Sequence, residues 1–135
     1  MIVIFGRSNH WISRLIRWRT RSDWSHVGIV DLNRVLESKG PIGVQFTPIS
    51  EFIARYTHTE IRCLPGSIEK AKSKLGAPFD RRGLKGLFFK LKNTHDKKAW
   101  FCSELVAYAS DEIHDDDAHL VTPERIYRLS TRLPK

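Results

Sequence analysis

Short apolar runs and helical patterns alternate along this chain of 135 residues. The opening run MIVIF is rich in β-branched residues and ends at Gly6, which predicts a strand. Between residues 9 and 19, apolar side chains recur every three or four positions among arginines, which predicts a basic amphipathic helix. The runs SHVGIV and RVLES flank the short sequence DLN, and this arrangement is typical of a β-hairpin.

The later part of the chain continues with strands and capped helices. The segment TPISEFIARY predicts a helix with Thr47 as its N-cap, and TPERIYRL predicts another with Thr122 in the same role. The segment AWFCSELVAYA changes from an apolar run to a helical pattern, which predicts a helix over residues 103–113. No repeat or linker interrupts the chain. We therefore predict a single α+β domain over residues 1–135, with an antiparallel sheet and helices packed on it.

Composition and charge add an expectation about partners. Hydrophobic residues make up 41% of the chain, which argues against disorder, and the formal net charge of +8 favours anionic partners. Part of this charge lies on the predicted amphipathic helix, at Arg14, Arg17, Arg19 and Arg21. An anionic membrane or a cell-wall polymer is a candidate partner of this helix, and a solvated basic surface without such a partner is an equally good interpretation. Nucleic acid is less favoured, because no base-reading motif is present.

The expected location follows from segments that the sequence lacks. No run of 18 apolar residues predicts a membrane span, and the opening residues have neither the basic start nor the long apolar stretch of a secretory signal. At face value, the chain is expected to remain in the cytoplasm. Its two cysteines do not make a disulfide framework, and Cys63, which alternates with Ile61 in a predicted strand, is interpreted as a packed core residue.

Cys102 lies where a helix is predicted to begin, and that position suits a nucleophile. A thiol attacks efficiently only as a thiolate, which a helix N-terminus and a nearby imidazole both favour. The helix start offers unpaired N–H groups with partial positive charge, which can also stabilise the oxyanion of an acyl-transfer intermediate. A lone cysteine in an apolar segment is nevertheless more often a buried structural residue, so Cys102 needs a partner elsewhere in the chain.

His26 is the candidate base, and the predicted hairpin brings Glu37 near it. If Asp31 and Leu32 form a two-residue turn, or if a four-residue loop keeps the same register, His26 lies directly opposite Glu37. A three-residue turn without a bulge would instead put Glu37 on the other face, with Ser38 towards the site. The pairing of histidine with glutamate therefore depends on the register of the hairpin.

Five short motifs occur in one order along the chain: SHVGIV, VLES followed by GV, LGAPFD, WFCSELVAYA and VTPERI. Together they resemble the circularly permuted branch of the NlpC-like, papain-fold cysteine hydrolases, in particular the YiiX/YebB-like group. The resemblance extends roughly from Met1 to Leu129. It implies a permuted papain-like fold, in which histidine and glutamate precede cysteine along the chain, and a bacterial or phage origin. Lecithin:retinol acyltransferase is similar in layout at a greater distance.

The resemblance also implies a role for three residues. Cys102 would be the nucleophile, His26 its general base and acid, and Glu37 the residue that orients His26. Such enzymes are thought to cleave amide or ester bonds in cell-wall peptides or acyl lipids, through a covalent acyl-enzyme that water or another acceptor resolves. No cofactor or metal is implied. The chain departs from the pattern at Phe79, where tyrosine is usual, so a hydroxyl contact to substrate is lost.

Several further features have more than one interpretation. Phe79, Trp100 and Ser103 are candidates for substrate contact, although large aromatic residues beside a helix start are more often part of the core. Glu104 is either a second acid near the thiol or, as we favour, a first-turn carboxylate that complements the helix dipole. The segment HDDDAH, residues 114–119, lacks metal-ligand spacing and is interpreted as a solvated loop. The alternative to a thiol hydrolase is a non-catalytic basic module that binds nucleic acid, anionic membrane or cell-wall polymer.

Overall fold

A computed structural model describes residues 1–80, 101–114 and 121–134, and in these ranges six strands form one sheet with five helices around it. The strands are β1 (Ile2–Arg7), β2 (His26–Asp31), β3 (Arg34–Lys39), β4 (Gly43–Pro48), β5 (His58–Cys63) and β6 (Thr131–Arg132). The helices are α1 (Trp11–Thr20), α2 (Ile49–Ala54), α3 (Ile68–Lys72), α4 (Cys102–Ala109) and α5 (Pro123–Leu129).

The sheet is antiparallel throughout, with the strand order β4-β3-β2-β1-β5-β6. The first strand of the chain therefore lies inside the sheet, between β2 and β5, and the hairpin of β2 and β3 extends the sheet on one side. This arrangement confirms the predicted α+β class, with an antiparallel sheet and helices packed on it. Among the described residues, no helix is both long and apolar enough to cross a bilayer.

The two faces of the sheet carry separate apolar clusters. On one face Val27 and Ile29 of β2 pack in the larger cluster, to which α4 contributes Leu105 and Val106. On the other face a smaller cluster forms around Phe52 of α2. Successive side chains of a strand point to opposite faces, so β2 contributes to both layers. As a result, the start of β2 lies near both α2 and α4.

The start of α5 agrees with the prediction, whereas the start of α2 and the end of α4 do not. The Thr122 hydroxyl accepts a hydrogen bond from the Arg125 N–H at 3.3 Å and caps α5 as predicted. Thr47 is not a helix cap, because it lies in β4 and α2 begins two residues later. Helix α4 ends at Ala109 and not at residue 113, because Ser110 is extended and forms an antiparallel bridge with Gly66.

Cys63 lies in β5 as predicted, but it is only half-buried, and Ile61 on the same strand keeps 39% of its surface exposed. The interpretation of Cys63 as a core residue was therefore wrong, because its side chain is not fully enclosed. The alternation of the strand is present, but in the described structure this face of β5 is only partly covered.

Candidate active site

Glu37 lies at the centre of a buried hydrogen-bond network. Its side chain is fully buried on β3, and its Oε2 accepts a hydrogen bond from His26 Nε2 at 2.7 Å. Its Oε1 accepts one from the Thr47 hydroxyl at 2.8 Å and another from the Arg55 guanidinium. Burial alone would raise the pKa of this carboxyl, but the His26, Thr47 and Arg55 donors outweigh burial and lower the pKa to about 2. Glu37 is therefore an anion throughout the neutral pH range.

The register of the hairpin differs from each alternative considered from the sequence, because the turn residues are Leu32 and Asn33. In the observed hairpin, Val30 pairs with Val35. This register is two residues away from the one in which His26 would pair directly with Glu37. If the same register continues along both strands, Glu37 lies across from Gly28. The short distance of 3.5 Å between a methyl group added at Gly28 and the Glu37 Cβ agrees with this placement. A shift of two residues keeps each side chain on its face. Glu37 therefore reaches His26 diagonally, over the glycine.

The His26 ring is held between this carboxylate and two aromatic rings. The ring centroids of Phe52 and Tyr56 lie 5.7 and 5.9 Å away, and the Tyr56 ring is nearly parallel to the imidazole. Burial lowers the pKa of His26, but the electrostatic effects of Tyr56 and Cys102 and the hydrogen bonds to Cys102 and Glu37 outweigh burial and raise the pKa well above its ordinary value. Because Nε2 is bound to Glu37, Nδ1 is the ring nitrogen left to face the thiol.

Cys102 is the first residue of α4, and its sulfur lies beside the start of β2. The sulfur lies close enough to the His26 ring and to the backbone N–H groups of Val27 and Ser103 for all three to lower the pKa of the thiol. Burial raises the pKa of the thiol, but the charge of His26 and hydrogen bonding by these groups outweigh burial and lower the pKa below its ordinary value. The site therefore favours a thiolate next to an imidazolium.

A cavity of about 120 Å³ lies beside the thiol. Both Cys102 and His26 form part of its wall, together with apolar side chains from separate segments of the chain. These apolar residues are Ile16, Phe79, Phe101 and Pro123. Concave sites with apolar walls and a few polar groups are the usual form of a small-molecule site. The cavity can therefore hold an apolar part of a substrate within reach of the sulfur.

The three residues predicted to contact substrate occupy different positions. Phe79 is half-buried and lines the cavity next to Gly40, where a methyl group would lie 3.3 Å from the Phe79 ring. Ser103 also lines the cavity, but its hydroxyl donates a hydrogen bond to the Val121 carbonyl at 2.6 Å. Trp100 lies outside the described residues. Phe79 and Ser103 stay predictions that rest on their position at the cavity wall.

Glu104 lies in the first turn of α4 and is 2% exposed. Its Oε2 accepts a hydrogen bond from the Phe101 N–H at 3.3 Å. Burial raises the pKa of Glu104 to about 8, because it outweighs the hydrogen bond from Phe101, which lowers the pKa, and the nearby Asp80 adds a smaller increase. A carboxyl that is mostly neutral at pH 7 cannot complement the helix dipole as a charge. The favoured interpretation was therefore wrong, since Glu104 caps the turn by a hydrogen bond.

The sequence interpretation missed Thr47 and Arg55, the two residues that complete the Glu37 network. Thr47 followed by proline is typical of a helix start, and this local signal concealed its contact with a carboxylate ten positions earlier. Arg55 follows α2 directly and meets Glu37 only because α2 packs over that part of the sheet. No local pattern predicts either contact, because both depend on how distant elements pack.

Tyr56 was also missed, and its position depends on a glycine. A Cβ added at Gly6 would lie 2.6 Å from the Tyr56 ring, so the ring fits against β1 only where a side chain is absent. Residues 115–119 of the acidic segment lie outside the described ranges. Within those ranges, no group of three or more His, Cys, Asp or Glu side chains is arranged to hold a metal ion.

Comparisons with known proteins match most of the chain to one family. A family model described as a permuted papain-like amidase enzyme, YaeF/YiiX, C92 family, matches residues 2–126, which confirms the predicted permuted papain-like fold. Among solved structures, the crystal structure of metalloprotein yiiX from Escherichia coli O157:H7 is similar, with 25% sequence identity and a TM-score of 0.49. That match covers 78% of this chain and 60% of the other. A comparison with curated proteins finds no match.

Proposed function

This chain belongs to the permuted papain-like amidase family, and from that premise we propose that it is a thiol hydrolase that cleaves an amide or ester bond through a Cys102 acyl-enzyme. One observation carries the proposal. Glu37, His26 and Cys102 form a continuous series of contacts that ends at a cavity. A nucleophile, a base and a group that orients the base are the parts that covalent catalysis by a thiol requires.

In the first step of this proposal, the Cys102 thiolate attacks the carbonyl carbon of the substrate. A bond forms between sulfur and carbon, and the electron pair of the carbonyl moves to its oxygen. The resulting oxyanion lies near the first turn of α4, where backbone N–H groups carry partial positive charge. A charge that develops only in the transition state is stabilised there more than in the ground state, which lowers the barrier.

In the second step, the tetrahedral intermediate collapses. The carbonyl re-forms, the bond to the leaving nitrogen or oxygen breaks, and the His26 imidazolium gives its proton to the leaving group. The neutral imidazole then takes a proton from water, which attacks the acyl-enzyme. The sulfur leaves as thiolate and the carboxylic acid product departs, so the thiolate and imidazolium are restored. An acceptor other than water would give acyl transfer by the same steps.

Glu37 acts through His26 in this scheme. Its carboxylate holds Nε2, which directs Nδ1 towards the sulfur, and its negative charge stabilises the imidazolium at each stage. Thr47 and Arg55 in turn fix the carboxylate by binding its other oxygen. These two residues are positioning residues, since neither is placed to touch the reacting atoms.

The test is to trap the acyl-enzyme on the native protein. The protein is incubated with a panel of activated peptide and fatty-acyl esters, and the intact mass is measured. We expect a single acyl adduct that is lost in Cys102→Ala and kept in the matched control Cys63→Ala. His26→Ala should reduce turnover by about two to four orders of magnitude, and Glu37→Ala should reduce it partially. Full turnover in Cys102→Ala would overturn the proposal.

A further inference from the structure

Helix α1 presents its apolar side to solvent. Trp11, Leu15 and Trp18 are spaced so that they share one face of the helix, and they are 67%, 41% and 74% exposed. A surface helix normally turns its apolar stripe towards the core of its own domain. Here the only buried residue of α1 is Ser13, on the opposite side. We name Trp11, Leu15 and Trp18 the outward stripe.

Polar contacts attach α1 to the domain and explain this orientation. The Ser13 hydroxyl donates a hydrogen bond to the Ser25 hydroxyl at 2.7 Å, and it accepts one from the Ser8 N–H at 3.2 Å. The Arg17 guanidinium donates to the Ser8 carbonyl at 3.2 Å. Because the polar side of α1 is fixed against the start of β2, the outward stripe is left on the surface. Contiguous exposed apolar residues of this kind mark a surface that binds something else.

The charges around the outward stripe favour an anionic partner. Arg14 and Arg21 are exposed, and α1 contains no acidic residue. A second copy of this chain would bring the same arginines together in a protein whose net charge is +8, and like charges repel. A nucleic acid would neutralise the arginines but would leave Leu15 and the neighbouring Ile12, which is 46% exposed, in water. A bilayer with anionic headgroups satisfies both the arginines and the apolar stripe.

We infer that α1 lies in the interface of an anionic phospholipid bilayer, with the outward stripe among the upper acyl chains and Arg14 and Arg21 at the phosphates. Tryptophan favours this depth because its ring is apolar and its N–H finds polar partners among the headgroups. Helices that lie in the plane of a membrane have this combination of aromatic residues on one face and arginine beside it.

The same helix borders the candidate active site. Ile16 and Thr20 of α1 line the cavity that holds Cys102 and His26. Both residues lie on the side of α1 that faces the domain, so docking of the outward stripe would put the cavity behind α1, roughly 10 Å (one helix diameter) from the membrane surface. This part of the inference rests on the proposed function, and it narrows the substrate class from amides and esters in general to those that carry a lipid acyl chain.

The experiment measures binding to vesicles in the Cys102→Ala background, so that turnover does not contribute and failure of the proposed function is distinguishable. Flotation compares phosphatidylcholine vesicles with vesicles that contain about a quarter phosphatidylglycerol, at about 0.1 M salt. The test variant is Trp11→Ser with Trp18→Ser. The matched control is Leu32→Ser, which removes an apolar residue that is 91% exposed at the other end of β2. Far-UV circular dichroism checks that each variant is folded.

We expect the parent to float with the anionic vesicles, the double tryptophan variant to bind them at least about tenfold more weakly, and the Leu32→Ser control to bind like the parent. A further variant, Arg14→Gln with Arg21→Gln, should lower the preference for anionic over neutral vesicles. Absence of vesicle binding would overturn the inference. Vesicle binding that is equally strong in the double tryptophan variant would also overturn it. The same holds if the tryptophans are needed to bind a single-stranded oligonucleotide and not vesicles, or if the tryptophan substitutions dissociate a dimer.

Discussion

Replacement of Glu104 by glutamine tests the electrostatics of the helix start that carries Cys102. The Glu104 carboxyl is almost fully buried, and its pKa is raised to about 8 from an ordinary value of 4.5 by burial and by Asp80. Glutamine has nearly the same shape, and its amide oxygen can still accept the hydrogen bond from the Phe101 N–H. The substitution therefore removes the ionisation and leaves the packing and the cap in place.

The sign and size of the effect follow from the raised pKa of Glu104. A group whose pKa is higher in the folded protein contributes stability that is fully present below the unfolded pKa and is lost as the pH rises through the folded pKa. Between pH 4.5 and 8, Glu104 should therefore lower the free energy of unfolding by about 4 kcal/mol, because a tenfold change in an acid dissociation constant corresponds to roughly 1.4 kcal/mol. Glu104→Gln should be similar in stability to the wild type at about pH 5 and clearly more stable at about pH 8.

Urea unfolding at these two pH values measures the difference directly. The matched control is Glu51→Gln, since Glu51 also lies in the first turn of a helix but is exposed to solvent. We expect the gap between wild type and Glu104→Gln to widen by about 3 kcal/mol from pH 5 to pH 8, and the gap for the control to stay within about 0.5 kcal/mol. Equal gaps at the two pH values for Glu104→Gln would refute the reasoning, because they would mean that burial does not hold this carboxyl neutral.

Two further predictions concern the thiol and the hairpin. Cys102 should react with iodoacetamide faster than Cys63 at neutral pH, because its thiol ionises below the ordinary pKa of 9.0, and His26→Ala should slow the reaction of Cys102. Peptide mass analysis measures the modification of both cysteines, and an equally slow reaction at the two sites would contradict an activated thiol. Gly28→Ala should lower the free energy of unfolding by about 1–3 kcal/mol and reduce turnover, because the new methyl would lie 2.4 Å from Val35 Cγ1. Urea unfolding and the turnover assay measure the two effects. A free energy of unfolding and a turnover equal to those of the wild type would show that the hairpin accommodates a side chain at this position.

Sequence reasoning placed His26 and Glu37 on one face only under two of the three hairpin turns considered, and it did not predict their observed pairing. The alternation of strand residues decides the face, and it survives any shift of the register by two positions. The turn decides the pairing, and the turn residues are Leu32 and Asn33, with Leu32 in the left-handed region at φ 56°. A leucine gives no local signal for that conformation, which glycine or asparagine usually adopts. The sequence therefore predicted the partner of His26 and could not specify how they meet.

Helix α1 shows a different limit. The spacing of its apolar residues correctly predicted a helix over most of residues 9–19. Periodicity identifies which side chains share a face, but it does not say which face meets the domain. Hydrogen bonds of Ser13 and Arg17 to residues outside the helix decide that question, and they depend on the tertiary structure.

The ionised state of the buried site depends on an alternation of charge. Arg55, Glu37, His26 and Cys102 follow one another, and the pKa shifts of the last three favour an anion, an imidazolium and a thiolate, so that each favoured charge lies next to one of opposite sign. Burial opposes ionisation of the glutamate, histidine and cysteine alike, yet each of their pKa values shifts towards the charged form. Glu104, where burial adds to the effect of a second carboxyl, shifts the other way. For Glu37, His26 and Cys102 the neighbouring groups together outweigh burial, whereas burial is the largest effect on Glu104, so the charged form is favoured only where groups that stabilise the charge lie beside the buried side chain.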